Sequence, residues 1–391
     1  MTASRLTVIL PLKGRHLFTL RFLWHADRAR LPYRFIVADG QVHPALAQLL
    51  ENSRTLFPNL DIEYIRYPDD NEFRDFCAKM ADAVSRVRTP YSVLADNDDF
   101  LAFTGIERSL DFLDTHPDYV CCGGGISGFS VYAPQSAPNG SLVGPLNKIA
   151  FRYVPNDRSI DVSSDVVSER LLFGIRNSWS YYAVFRSQAL QTIWRELVEL
   201  DLSDLQLQEK FCAMRTLTLG KARSDPATIA YLRQYWTSMQ SAFSVDWVHH
   251  LVRSRFSTDL KNIVERIAGI AARHDKADPA VLAEALLGRI EMWLRDFINL
   301  NYGISGAVRR HIRARAPGLL MWLKTRRRFS VSGERKAIIA TLRQRGATED
   351  YIAAFRAELA QVEDVIGGAE FQEFIGRYAK ELTAARSTRN V

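Results

Sequence analysis

Cysteine is scarce. The four in this chain of 391 residues, at positions 77, 121, 122 and 212, form no CxxC pair, which argues against a secreted disulfide scaffold and a thiolate zinc site. Cys121 and Cys122 end an apolar run and read as small buried hydrophobes. No apolar run reaches the roughly 20 residues that cross a bilayer. The first residues pass straight into Leu6-Thr-Val-Ile-Leu-Pro11 without the separate basic, apolar and cleavage regions of a signal peptide, so a cytoplasmic location is expected. Two phosphate cradles are also missing. There is no GxGxxG after the first strand and no GxxxxGK[ST], so bound phosphate would have to be met by a cation and a few basic side chains. RNP, zinc-finger and helix-turn-helix signatures are absent, and nucleic acid is not an expected partner. The last absence is local: no acidic residue lies between Asp296 and Glu334, while Arg309, Arg310, Arg313, Arg315, Lys324, Arg326, Arg327 and Arg328 bracket the apolar run 317–323. Such a segment (309–328) suits either the surface of an anionic membrane, making the protein peripheral at its inner face, or a core-facing helix with a solvated basic face.

What is present describes an ordered globule, 47% hydrophobic and 24% charged, with formal net charge +7. The length allows two domains, or one with a large appendage. Apolar runs at 6–12, 33–38, 61–66 and 91–95 read as strands. They alternate with helical periods at about 18–29, 43–53 and 72–86, the pattern of a mostly parallel α/β sheet with right-handed crossovers. Further on, a helix is expected at 104–115 with Thr104 as a candidate cap, and strands at 118–122 and 126–132 joined by a flexible hairpin at Gly123-Gly-Gly125. A turn-rich loop follows at 133–146, then a strand at 179–185 and helices at 188–199 and 204–219, the latter closed by Gly220. Past about residue 226 amphipathic periods replace the strand signals, with helices expected at 226–252, 256–273, 279–299, 303–315, 331–344, 348–365 and 369–385. The expected division is an α/β domain over 1–225, with an internal boundary near 103, and a helical domain over 226–391. The helical part suits a homo-oligomer as readily as a membrane surface.

The stretch that draws these elements together is Tyr91-Ser-Val-Leu-Ala-Asp96-Asn97-Asp98-Asp99-Phe100. Three carboxylates within four residues repel one another unless water, a cation or a helix N-terminus compensates them. Open α/β sheets place ligands at the carboxyl ends of their strands. A metal and phosphate-ester site is one reading of the cluster, and a solvated acidic turn is the other. The same topology brings Pro11, Asp39 and residues 68–71 to the crevice, with Lys13 and Arg15 able to meet phosphate charge. Each also has a plainer reading, as a solvated basic turn or a turn-forming Asp before Gly.

With this order assembled, the first 240 residues resemble a GT-A glycosyltransferase of the broad family-2-like group used in bacterial polysaccharide assembly. The resemblance rests on Thr7-Val-Ile-Leu-Pro11, the strand ending in Ala38-Asp39, the Lys79 helix before Thr89-Pro90-Tyr91, and the acidic cluster before Phe100. It implies a GT-A, Rossmann-like catalytic domain over 1–225, with a nucleotide-sugar half at about 1–103 and an acceptor half at about 104–225, and transfer of a sugar from a nucleotide-diphosphate donor to a glycan or lipid-linked hydroxyl, with inversion and with Mn2+ or Mg2+. Pro11 and Leu12 would shape the base pocket, Asp39 would bind base or ribose, and Asp70 and Lys79 would lie beside the nucleotide. The family's DxD motif aligns either as Asp96-Asn97-Asp98 or as Asn97-Asp98-Asp99. Asp98 or Asp99 would contact the metal directly, with Asp96 or Asn97 on ribose and Asp96 also a candidate ligand. Glu209 would be the catalytic base, with Asp204 in reserve, and Arg233 would neutralise the leaving group. A nucleotidyltransferase, or a non-catalytic sugar-binding protein of a membrane assembly, are the alternatives.

Overall fold

The computed structural model describes residues 4–132, 148–153, 161–174, 179–234, 255–302 and 331–384. The expected loop at 133–146, the helix at 303–315 and the basic segment 309–328 lie outside the described residues.

The N-terminal half is a parallel βα alternation: β1 (Leu6–Leu12), α1 (His16–Arg28), β2 (Arg34–Asp39), α2 (Pro44–Glu51), the single turn α3 (Ser53–Leu56), β3 (Asp61–Arg66), α4 (Phe73–Ser85) and β4 (Tyr91–Leu94). Val8, Ile9 and Leu10 of β1 and Phe35, Ile36 and Val37 of β2 are fully buried. Burial of consecutive residues is what strands covered on both faces require. The strands order as β3-β2-β1-β4 with every pairing parallel, Val8 lying opposite both Phe35 and Val93. The order therefore reverses beside β1, which opens a crevice at the carboxyl ends of β1 and β4. Helix α4 starts in a capping box, Asp75 accepting from the Glu72 and Asn71 amides, which satisfies two otherwise orphaned donors.

The second half is mixed rather than parallel. It comprises β5 (Phe100–Leu101), α5 (Phe103–Thr115), β6 (Tyr119–Tyr132), β7 (Lys148–Tyr153), β8 (Asp161–Val162), α6 (Val167–Gly174), a 3-10 turn (Trp179–Tyr182), β9 (Val184–Arg186), α7 (Ser187–Leu200), α8 (Leu205–Leu219) and β10 (Lys221–Gln234). Strands β6 and β10 run parallel, while β9 joins β4 to β6 antiparallel and β5, β7 and β8 also pair antiparallel. The expectation of a mostly parallel sheet thus holds for the first four strands.

Four local expectations need correction. The glycines at 123–125 do not turn the chain but continue β6 through 14 residues. Opposite them β10 bulges between Asp225 and Ile229, and a Cβ on Gly124 would sit 2.6 Å from Thr228 Oγ1 and 2.9 Å from the Ala230 amide. Glycine is needed there for close approach of two strands, not for a turn. Residues 226–234, expected as the start of a helix, form the end of β10, whose alternate partners include Leu101 opposite Tyr231. The strand expected at 179–185 is a 3-10 turn followed by the short β9. Ala102, not Thr104, occupies the N-cap position of α5, because the Ala102 amide is already held by Ala230 O at 3.0 Å as β5 ends.

The C-terminal helices are α9 (Phe256–Asp275), α10 (Pro279–Tyr302), α11 (Val331–Gln344), α12 (Glu349–Gly367) and α13 (Ala369–Ala384). They cover both faces of the sheet. Helices α9 and α10 pack on α6 and α8, whereas α11 packs on β7, α12 on α1 and α5, and α13 on α1 and α2. Their apolar residues enter the same two cores as the strands, Ile263 and Leu286 in one, Ile352 and Phe371 in the other. Among the described residues no helix is long and apolar enough to cross a membrane.

Candidate metal centre

Strand β4 is still paired to β1 at its end, the Ala95 amide donating to Ile9 O at 3.0 Å, and the chain then turns, with the Asp99 amide reaching Asp96 O at 3.3 Å. This turn brings one carboxylate oxygen from each of Asp96, Asp98 and Asp99 within 4.8 Å of the others. Each carboxylate is held by a different element. Tyr182 Oη donates to Asp96 at 2.7 Å, Arg15 donates to Asp98 Oδ2 at 2.8 Å, and the Gln234 amide donates to Asp99 Oδ1 at 2.7 Å. The Asp96 amide in turn donates to Tyr231 Oη at 2.8 Å, and the Tyr182 and Tyr231 rings lie tilted by 31° with centroids 4.4 Å apart. Asn97 faces elsewhere, its amide reaching Thr19 Oγ1 at 3.1 Å and Arg15 O at 3.4 Å in the first turn of α1.

Burial raises the pKa of Asp96, and the Asp98 charge adds to it while Tyr182 and Arg233 oppose it. Burial, then repulsion from Asp98 and Asp96, pushes Asp99 well above the usual carboxylate range. Two buried carboxylates and a half-buried one, in mutual repulsion, form a donor set suited to a hard cation. Six-coordinate Mg2+ takes oxygens at roughly 2.0–2.1 Å, so its opposed ligands stand about 4.2 Å apart. The spacing seen here is within a small contraction of that, and Mn2+ accepts the same carboxylate chemistry.

Three guanidinium groups surround the cluster. Arg15 lies at the N-cap of α1 with φ 57°. Arg21, fully buried, donates from Nη2 to Asp98 O at 2.6 Å and lies between the Phe18 and Phe100 rings at 4.8 and 4.9 Å. Burial lowers its pKa to about 9, with Asp98 and Asp99 opposing, so it stays charged at neutral pH. Arg233 is 5.6 Å from the Tyr182 ring centroid; burial lowers its pKa, but Tyr182, Asp99 and Asp96 more than reverse this.

Beside the metal cluster a second polar group lines the crevice. Asp39, fully buried, accepts from the Gln41 amide at 3.0 Å and from Tyr64 Oη at 2.7 Å. Lys79 Nζ donates to Leu12 O at 2.9 Å and to Asp70 Oδ2 at 2.5 Å. Lys13 Nζ lies 3.6 Å from Asp70 Oδ1 and donates to Asn71 O. Burial lowers the Lys79 pKa against the pull of Asp70. Pro11 lies opposite Ala38 and Leu12 opposite Asp39 in the β1–β2 register. Gly40 permits the arrangement, because a Cβ there would fall 1.9 Å from Asp70 Oδ2.

Asp204 caps α8, accepting from the Gln206 amide at 2.8 Å. Glu209 is partly buried one turn further on. Burial raises the pKa of the Tyr181 hydroxyl, and the charges of Asp96 and Glu209 raise it further. The neighbouring Lys210 is lowered to about 8 by burial, with Glu209 opposing.

Arg21, Tyr182, Tyr231 and the Gln234 amide were not singled out as site residues from the sequence. Arg21 carried a readable signal, as a charge inside the apolar run Phe18-Thr-Leu-Arg-Phe-Leu23. A backbone donor such as Gln234 carries none.

No family model matches the chain, and no curated protein matches it. Solved structures do. TarS of S. aureus, residues 1–349, aligns at 12% identity and TM-score 0.46 over 94% of this chain and 92% of that one, with the same values for its complex with UDP-GlcNAc. The mannosyltransferase PcManGT of Pyrobaculum calidifontis, in complex with GDP-Man and Mn2+, aligns at 14% identity and TM-score 0.40 over 91% and 87%. At these identities and TM-scores the likeness assigns neither a family nor an activity to this chain.

Proposed function

We propose that the protein is a metal-dependent, inverting glycosyltransferase with a GT-A arrangement, moving a sugar from a nucleoside-diphosphate donor to a glycan or lipid-linked hydroxyl. The observation that carries the reading is the convergence of Asp96, Asp98 and Asp99 at the strand-order reversal beside β1, where α/β sheets bind nucleotides. Asp98, Asp99 and Asp96 would hold Mn2+ or Mg2+, which when bound supplies charge stabilisation to a diphosphate. Pro11, Leu12 and Asp39 would receive the base and ribose, with Tyr64 fixing the Asp39 carboxylate. Lys79, held by Asp70, keeps the floor of that pocket charged, and Lys13 and Arg15 face the phosphates. Asn97 ties the acidic turn to α1. Glu209 takes the proton of the acceptor hydroxyl as its oxygen bonds to the anomeric carbon, while the bond from that carbon to the diphosphate oxygen breaks. Arg233 neutralises the charge that appears on the departing nucleotide. Asp204 acts as the α8 cap that sets the Glu209 helix in place.

The test is a thermal-shift series with UDP and GDP, each with and without Mn2+. A ligand at a hundred times its Kd stabilises the native state by about 2.7 kcal/mol. The expected result is a rise in melting temperature for one nucleotide that requires Mn2+ and is lost in Asp99→Asn. Equal shifts with and without the metal would refute metal dependence, and no shift with any nucleotide would refute the donor site.

A further inference from the structure

The acidic cluster already has positive partners within the protein. Three carboxylates, Asp96, Asp98 and Asp99, face three guanidinium groups, Arg15, Arg21 and Arg233, and the three arginines are not equivalent. Arg21 is fully buried, clamped between two rings and bonded to the backbone oxygen of Asp98, with Nε and Nη1 making no hydrogen bond among the described residues. It has no route away from the site. Arg15 differs. Its backbone is pinned, since Arg15 O accepts from the Phe18 amide at 2.9 Å and from Asn97. Its side chain, 16% exposed, reaches from the rim to Asp98 Oδ2 and rests over the Phe18 ring at 4.5 Å. Gly14, with φ 70°, precedes it in the loop that would face the phosphates.

We propose that Arg15 is an internal counter-ion that competes with the divalent cation for Asp98 and is drawn off by the diphosphate of the nucleotide, so that metal and nucleotide bind as a coupled pair. The proposal rests on the metal and donor sites inferred above. Its physical basis is simple. The Asp98 oxygen that Arg15 holds cannot also face a cation along the same direction, and a divalent cation alone adds two positive charges to a site that already holds three guanidinium groups. A nucleoside diphosphate removes that excess and offers the Arg15 fork a bidentate acceptor of matching shape. Each ligand then strengthens the other by one and the same factor. Arg15→Lys would keep the charge while losing the fork.

The experiment is titration of the full chain with Mn2+ alone, followed by calorimetry or water-proton relaxation, and again in saturating UDP or GDP, whichever binds. Wild type, Arg15→Ala, Arg15→Gln and Arg15→Lys are compared, with Asp98→Asn as the control for the site. Removing the competitor should tighten binding of Mn2+ alone by roughly tenfold, within the ordinary range of coupling between ligands. It should also shrink the enhancement that the nucleotide gives, in both Ala and Gln variants, while Lys keeps the weak binding of Mn2+ alone and retains only part of the enhancement. Unchanged or weaker binding of Mn2+ alone in both neutral variants overturns the competition and leaves the metal site standing. Absence of Mn2+ binding in every variant, with and without nucleotide, overturns the metal site and the competition together.

Discussion

Glu358 of α12 offers a measurement of how firmly the C-terminal helices hold the acidic turn. Its Oε1 accepts from the Thr104 amide at 2.7 Å and its Oε2 from Thr104 Oγ1 at 3.1 Å, so it caps in trans the helix that begins four residues after Asp99. Burial pushes its pKa from 4.5 to about 7 against those two hydrogen bonds. A carboxyl raised in this way favours the folded state fully below pH 4.5, and the contribution drains away as pH rises to 7 and above. The full difference is about 3 kcal/mol, and the field of the α5 N-terminus, worth about 0.3–1 kcal/mol to an anion, reduces it. Between pH 5 and pH 8 the wild type should therefore lose about 2 kcal/mol that Glu358→Gln does not lose. The Gln side chain keeps an oxygen for the Thr104 amide and carries no charge at either pH. Urea denaturation of both proteins at pH 5 and pH 8 measures the difference directly. The variant should match the wild type within the cost of one altered hydrogen bond at pH 5 and exceed it at pH 8. A gap that stays constant across pH, or a variant weaker at pH 8, would refute the burial argument for this group.

Three further outcomes follow from the site. Gly40→Ala places a Cβ against Asp70 and separates it from Lys79; breaking a buried ion pair costs about 3–5 kcal/mol, to be read as a large fall in thermal stability together with loss of nucleotide-dependent protection. Tyr182→Phe removes the donor to Asp96, a bond to a charged group worth about 1.5–3 kcal/mol, and should weaken Mn2+ binding in titration while the circular dichroism spectrum is kept; unchanged affinity would mean that Tyr182 does not position the ligand. Glu209→Gln should lower turnover by about 10²–10⁴-fold, the usual worth of general-base help, with donor affinity retained, and normal turnover would remove it as the base.

The parts of the molecule legible in the sequence are those whose signal is local. Strands β1, β2 and β4 are buried on both faces, so they stand out as uninterrupted apolar runs, and the acidic turn announces itself by following one of them directly. The division of labour inside that turn was not legible. Asp96, Asp98 and Asp99 converge while Asn97 turns to α1, and which side chain points where depends on Thr19, Tyr182 and Gln234, residues 78 to 135 positions away in the sequence or on another element's backbone. The same holds for β6 and β10. Three glycines in a row carry a turn signal on their own, and only the bulge of a strand a hundred residues later makes them a straight path. Alternating residues after Pro226 were masked by the amphipathic periods beyond them, because Tyr231 and Leu232 find β5 only through tertiary pairing.

The repulsion stored in the acidic turn bears on why the helical segment folds back on the sheet. Arg15 and Arg21 belong to α1, and α1 is held from outside by α13: Trp24 lies against Phe374 at 4.5 Å and Phe371 at 5.8 Å, and Arg28 pairs with Glu370. Gln234 belongs to β10, and α12 grips β10 through Tyr351, whose hydroxyl accepts from the Ile229 amide at 2.7 Å and donates to Ile229 O at 3.2 Å. The helix α5 that follows the turn is capped by Glu358 of that same α12. Buried carboxylates stay together only where the groups that neutralise and orient them cannot relax away. In this chain two of the three holding elements, α1 and β10, are themselves held by residues more than a hundred positions later. Among the described residues the C-terminal helices therefore contribute to the site mechanically, without placing a side chain in it, and loosening α12 or α13 should reach the acidic turn before it reaches the parallel strands.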